Sequence, residues 1–278
     1  MSMTQTHGGG YKMVAPVVPG EKEMSSYLYA CAEGLDDSVR LFLDKWPDQT
    51  GVHWKDNGRT GLHIALLNGH QSTVELLIER KAQLYATDKS GVNALMLAAE
   101  SGNETLVGMM LEKGFRASTK DNDGRSALHH YVFGGDNDRE SGIPALLHRH
   151  GAQIDDASPA GVKPLQWALS LGRKMIFRAL LDLGADISDP MLQGFASQME
   201  TPDFAEMLRD EPARRGREME EAVSNGVTGT LKVRKPFNLS KEPRKQEPPA
   251  QPAARAPQPR SPAWPKADSP GYVRSWTA

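Results

Sequence analysis

Thr60-Gly61-Leu62-His63-Ile64-Ala65, then Gly69-His70, then Val74-Glu75-Leu76-Leu77-Ile78, is the run that decides how this chain is read, because it recurs. The next copies are Asn93-Ala94-Leu95-Met96-Leu97-Ala98-Ala99 with Gly102-Asn103, and Ser126-Ala127-Leu128-His129 with Gly135. A further copy is Pro164-Leu165-Gln166-Trp167-Ala168 with Gly172. Gly58, Gly91, Gly124 and Gly161 lie 33, 33 and 37 residues apart. A second series, Lys81, Gly114, Gly151 and Gly184, places the four extra residues between Gly135 and Leu146. Periods of this length mean stacked supersecondary units rather than one globular core.

The residues within one period predict two helices. Thr60, Asn93 and Ser126 stand where an N-cap is needed, with side-chain oxygens to accept orphan helix N–H groups. Ala65, Ala98 and Ala168 let the first helix approach its neighbours closely. Gly69, Gly102, Gly135 and Gly172 suit the turn that follows, where a left-handed backbone is cheap only for glycine. The leucine run then recurs at helical spacing on a second helix. Gly114, Gly151 and Gly184 stop that helix before a hairpin turn to the next unit.

With these elements at fixed offsets, the chain resembles the ankyrin repeat over about residues 24 to 210. The resemblance implies an all-α solenoid of about six helix-turn-helix units. It also implies a concave binding face made of hairpin tips and the exposed side of the inner helices. Carried over by position, the tips present Arg59, Lys89 and Arg125, and the inner-helix row presents Leu67, Glu100, Phe133 and Leu171. Apolar side chains in an exposed row, rimmed by charge, mark a partner site. His63 and His129 would brace their own turns by hydrogen bonding, as that position does in the family.

Outside the repeats, the expected organisation is a disordered N-terminus over 1–21, the repeat domain over 22–210, a short charge-rich helix over 211–225, and a disordered Pro-rich basic tail over 226–278. Residues Glu23 to Trp46 read as a degenerate first unit, and the pair Pro190–Ala196 and Phe204–Leu208 as a last one. The fourth unit is irregular. Tyr131 replaces the small residue of its neighbours and is expected to push adjacent inner helices apart or to reorient one. The insertion within Gly134–Gly142 follows at once, and its acidic residues lack the glycine and glutamate a calcium loop needs.

Formal charge is only −2, but it is divided unevenly. From Glu211 onward there are 13 Lys/Arg and 7 Asp/Glu, so residues 1–210 hold 20 against 28. The single cysteine, Cys31, excludes an internal disulfide and reads as a buried structural thiol. No apolar run reaches signal-peptide or membrane-spanning length, so the sequence reads as soluble and intracellular, cytoplasmic or nuclear.

Catalytic motifs are absent: no phosphate loop, no H-E-x-x-H, no Cys-x-x-Cys, no G-x-S-x-G. No cofactor, metal or catalytic residue is expected, and the chain does not read as an enzyme. The expected function is an adaptor or scaffold that binds another protein on the concave face. The alternative is a nucleic-acid-associated regulator, with Lys232 to Lys245 touching phosphate. Ser261 and Ser269, each before proline, are candidate phosphorylation sites in the tail.

Overall fold

The computed structural model describes residues 2–5, 11–14, 19–134, 141–189, 192, 194 and 203–224. Eleven α-helices lie among them, and ten of these form five consecutive pairs. The pairs are α1 (Glu21–Glu33) with α2 (Asp36–Lys45), α3 (Gly61–Leu67) with α4 (Gln71–Glu79), and α5 (Ala94–Ser101) with α6 (Glu104–Glu112). They continue with α7 (Ala127–Phe133) and α8 (Ile143–Arg149), then α9 (Pro164–Ser170) and α10 (Lys174–Asp182). The first helices form one row, α1 on α3, α3 on α5, α5 on α7 and α7 on α9, and each packs on the second helix of its own unit. This is the all-α repeat solenoid that the period predicts.

Local chemistry sets the helix ends. Asn93 Oδ1 accepts from the Met96 N–H at 3.1 Å, and Asn103 Oδ1 accepts from the Leu106 N–H at 3.2 Å. Asn103 also donates to the Gly69 carbonyl of the preceding unit at 3.3 Å, so one cap residue ties two units together. Gly102 closes α5 at φ +69°.

The interior is one continuous apolar band from Tyr27 to Leu208. In the first unit, Tyr27 stacks on Phe42 with centroids 4.3 Å apart, and Phe42 meets Trp46 at 4.8 Å. Cys31 is fully buried, and burial pushes its thiol up to about 12, which leaves it protonated and inert. Tyr131 is taken up inside the row. Its ring is 1% exposed, and α7 stays packed on both α5 and α9. The equivalent residues on those two neighbours, Ala98 and Ala168, are small and fully buried, so the row has room for one large side chain.

Two stretches lie outside the five pairs. Ahead of the solenoid, β1 (Ser2–Gln5) and β2 (Tyr11–Val14) pair antiparallel, with Ser2 opposite Val14, and α1 already begins at Glu21. After α10, a 22-residue helix α11 (Asp203–Ser224) runs through Pro212, where the sequence predicts a break and a separate short helix. Proline removes one N–H and crowds the preceding turn, but the rest of the helical pattern continues on both sides. Phe204 at its start meets Phe177 edge-on at 5.1 Å. The chain divides after Leu208 into two compact units, and Glu211 in the second is held by Arg214 and Arg215, both at 2.7 Å. The first helix expected of a sixth pair, 190–196, lies mostly outside the described residues, as does the insertion at 135–140.

Candidate protein-binding face

The hairpin tips are built on a repeated aspartate that the sequence reading missed. Asp88 and Asp121 each stand three residues before a turn glycine. Asp88 Oδ1 accepts from the N–H groups of Ser90 and Val92, at 2.9 and 3.0 Å. Asp121 Oδ1 accepts from those of Asp123 and Arg125, at 2.9 and 2.8 Å. The second oxygen of each takes an arginine. Arg59 Nε donates to Asp88 Oδ2 of the next unit at 3.2 Å, whereas Arg125 Nε donates to Asp121 Oδ2 of its own unit at 3.1 Å. The difference has a simple cause: the residue equivalent to Asp88 and Asp121 in the fifth unit is Ser158, which offers Arg125 no carboxylate. Both candidate tip arginines are therefore braces as well as surface.

Lys89, the third candidate tip residue, is exposed but also tied down. Its ammonium donates to the carbonyls of Lys55 and Asp56, the latter at 3.0 Å. Its backbone N–H donates to the Asn57 carbonyl at 2.9 Å, and the Asn122 N–H donates in the same way to Ser90 at 2.9 Å. Successive tips are thus stitched by one main-chain hydrogen bond each. At the next step the equivalent residue is Pro159, which has no N–H to give.

Leu67, Glu100 and Phe133 hold one position of the repeat, two residues before Gly69, Gly102 and Gly135, whereas Leu171 lies one place later, directly before Gly172. Leu67, Phe133 and Leu171 are half-buried, and Leu67 and Leu171 pack partly against the core. Phe133 meets Trp167 of the next unit edge-on, centroids 4.7 Å apart at 61°. Asn68 and Ser170, beside the row, are exposed.

Glu100 is joined to the tips through a residue that sequence spacing did not single out. Glu100 Oε2 lies 3.1 Å from His130 Nδ1, and His130 Nε2 lies 3.0 Å from Asp121 Oδ2. The structure therefore gathers Glu100 and Arg125, far apart in sequence, into the line Glu100–His130–Asp121–Arg125. Burial opposes charge on His130, but the hydrogen bonds to Asp121 and Glu100 outweigh it, and its pKa is raised. Burial likewise opposes charge on Asp121, and the hydrogen bonds from His130 and Arg125 hold its carboxyl below the usual range.

The other two buried histidines behave as braces. The Thr60 N–H donates to His63 Nδ1 at 3.2 Å, which leaves Nε2 to donate to the Ala86 carbonyl at 3.0 Å. The Ser126 N–H donates to His129 Nδ1 at 3.2 Å. Burial lowers the pKa of both, so they stay neutral. In the fifth unit Gln166 performs the same task, accepting from the Lys163 N–H and donating to Asp189, each at 2.7 Å. Among the described residues, no group of His, Cys, Asp and Glu is arranged to hold a metal ion, and no helix is long and apolar enough to cross a membrane. Ser261, Ser269 and the basic stretch from Lys232 lie outside the described residues.

Comparison with known proteins agrees with this geometry. Residues 27–121 match the family model for ankyrin repeats in three copies. Mouse Rabankyrin-5 is 28% identical over 163 residues, covering 58% of this chain and 14% of its own length. The Drosophila melanogaster transient receptor potential cation channel subfamily A member 1 is 36% identical over 196 residues, covering 65% of this chain and 16% of its own. Palmitoyltransferase AKR1 of Lachancea kluyveri is 29% identical over 139 residues, 49% of this chain and 18% of the enzyme. The chain thus spans less than a fifth of each of these relatives.

Proposed function

Given that the chain is an ankyrin-repeat protein, built on a protein-interaction module, we propose that it is a non-enzymatic adaptor. It binds a partner protein on the face formed by Leu67, Glu100, Phe133 and Leu171, with Arg59, Lys89 and Arg125 along its tip edge. The observation that carries this reading is the row itself. Three half-buried apolar side chains, Leu67 and Phe133 at one repeat position and Leu171 one place later, line the ends of the first helices, bordered by charged tips that hydrogen bonds hold in place. An ordered surface of this composition loses little conformational entropy on binding, and its aromatic member is the kind of residue that dominates interface energetics. The cytoplasm or nucleus is the compartment we propose for it, on the strength of its single reduced thiol.

The test adds bulk instead of removing contacts, because truncating Phe133 would also disturb Trp167. Asn68→Arg and Ser170→Arg lie beside the row at exposed positions. The unmodified chain, used as bait with crosslinking, should retain a partner that both variants lose by tenfold or more. The same arginine placed at exposed Glu75, on the second-helix layer, should not affect capture. Capture unchanged in both row variants would remove the binding site from this face.

A further inference from the structure

We propose that His130 is an imidazolium that clamps the third repeat to the fourth, and that loss of its proton unlatches this joint and turns Glu100 out onto the inner face. The proposal goes beyond the adaptor reading and does not require it.

The geometry carries the assignment. Each ring nitrogen of His130 faces a carboxylate oxygen, Glu100 Oε2 at 3.1 Å and Asp121 Oδ2 at 3.0 Å. An ionised carboxylate only accepts hydrogen bonds, so each contact needs an N–H. A neutral imidazole has one N–H, and the imidazolium has two. The residue is 6% exposed, so water does not substitute for either contact.

The surrounding charges favour that proton. On α5, packed against α7, Glu100 is the one ionisable side chain, and α9 on the other side contributes none. On α8, His148 is turned to the Ala152 carbonyl at 3.1 Å, and Arg149 is exposed. The neighbouring His129 stays neutral through burial. The opposing charge is that of Arg125, which shares Asp121 Oδ2 with His130. Two carboxylates, Glu100 and Asp121, therefore face the imidazolium, while the Arg125 guanidinium is divided between Asp121 and Asp123.

When the proton leaves, one nitrogen must turn a lone pair toward a carboxylate. Asp121 is anchored by the N–H groups of Asp123 and Arg125 and by Arg125 Nε. Glu100 is 20% exposed where Asp121 is fully buried, so water can take up its charge and the contact that yields is the one to Glu100, on the neighbouring repeat. A histidine whose pKa is raised by folding stabilises the fold fully below its unfolded value. That contribution is lost as pH rises from about 6.5 through the folded value, by up to about tenfold in the unfolding constant per pH unit.

The experiment uses the full chain. Long-range proton–nitrogen spectra of its eight histidines are recorded as a function of pH, with His130→Gln identifying the signal. Both ring nitrogens of His130 should be protonated at neutral pH, and its midpoint should lie above 6.5. Glu100→Gln should move that midpoint down, and denaturant stability should fall with alkaline pH more in the unmodified chain than in His130→Gln. If His130→Gln does not fold, Glu100→Gln serves as the assignment through the one midpoint it displaces. A His130 that holds a single ring proton at neutral pH, or a midpoint that Glu100→Gln leaves unmoved, overturns the proposal.

Discussion

Gly124 sits directly under Pro159: a β-carbon added to Gly124 would come within 2.5 Å of the proline Cδ. The contact marks the one step in the run of tips, from Asn57 through Lys89, Ser90 and Asn122 to Pro159, where close packing stands in for the main-chain hydrogen bond. Gly124 and Gly172 have nearly the same backbone, φ +69° and +68°, but nothing crowds Gly172 within 4 Å. Gly172→Ala should therefore cost about 1 kcal/mol, the strain of a left-handed alanine. Gly124→Ala should cost about 1–3 kcal/mol more, since the ring must also shift. Urea unfolding of the two variants checks this, and equal losses would show that the tip gives way freely.

Lys81 is the complementary case. It holds φ +59° at the helix-ending position that Gly114, Gly151 and Gly184 occupy in later repeats. Its side chain is exposed, so little packing is lost with it. Lys81→Gly should stabilise the solenoid by about 0.5–1 kcal/mol, the relief of left-handed strain less the added freedom of the unfolded chain. A lower melting temperature in the variant would contradict the assignment of strain.

Gly61 opens α3 where a β-carbon would lie 2.7 Å from the Tyr27 hydroxyl and 2.8 Å from Cys31 Sγ. Alanine is the better helix former, yet here the clash should win, and Gly61→Ala should destabilise by about 1–3 kcal/mol. Combining it with Tyr27→Phe and Cys31→Ala should recover a substantial part of the loss. The double-mutant coupling, read from denaturation midpoints, distinguishes this from a plain backbone effect.

Asp121 is the keystone of the third-to-fourth joint, with its side chain fully buried and its two oxygens taking four donors. Asp121→Ala leaves those donors unpaired and should cost about 3 kcal/mol or more. The acid side of the stability curve follows from the same residue. Its carboxyl is held below the ordinary 3.8, so its contribution is complete above that value and is lost as pH falls through the lower folded value. Asp121→Asn should flatten this acid limb relative to the unmodified chain in denaturant titrations across that range.

Much of this protein was legible in one dimension. Glycines and leucines recurring at fixed offsets mean that each unit repeats the same backbone path. A repeated path with one apolar face per helix has to stack, so the solenoid and its paired helices followed from spacing, while the inner row was what the family resemblance implied. Bracing of the turns by His63 and His129 was legible through the resemblance, while the second bond of His63, to Ala86, crosses to the next unit. The tip aspartates left a trace that went unread: Asp88 and Asp121 sit at one offset from their glycines, and Ser158 at the same offset marks the exception.

The rest was decided only when the units came together. Glu100 and His130 are 30 residues apart, which is no multiple of the repeat, and they meet because one ends α5 while the other lies mid-way along α7. Phe133 against Trp167 depends in the same way on which side chains face each other across a helix interface. Periodicity determines what repeats along the chain. Contacts between unlike positions of neighbouring repeats, and the charge buried in one of them, depend on packing geometry, which the period does not encode.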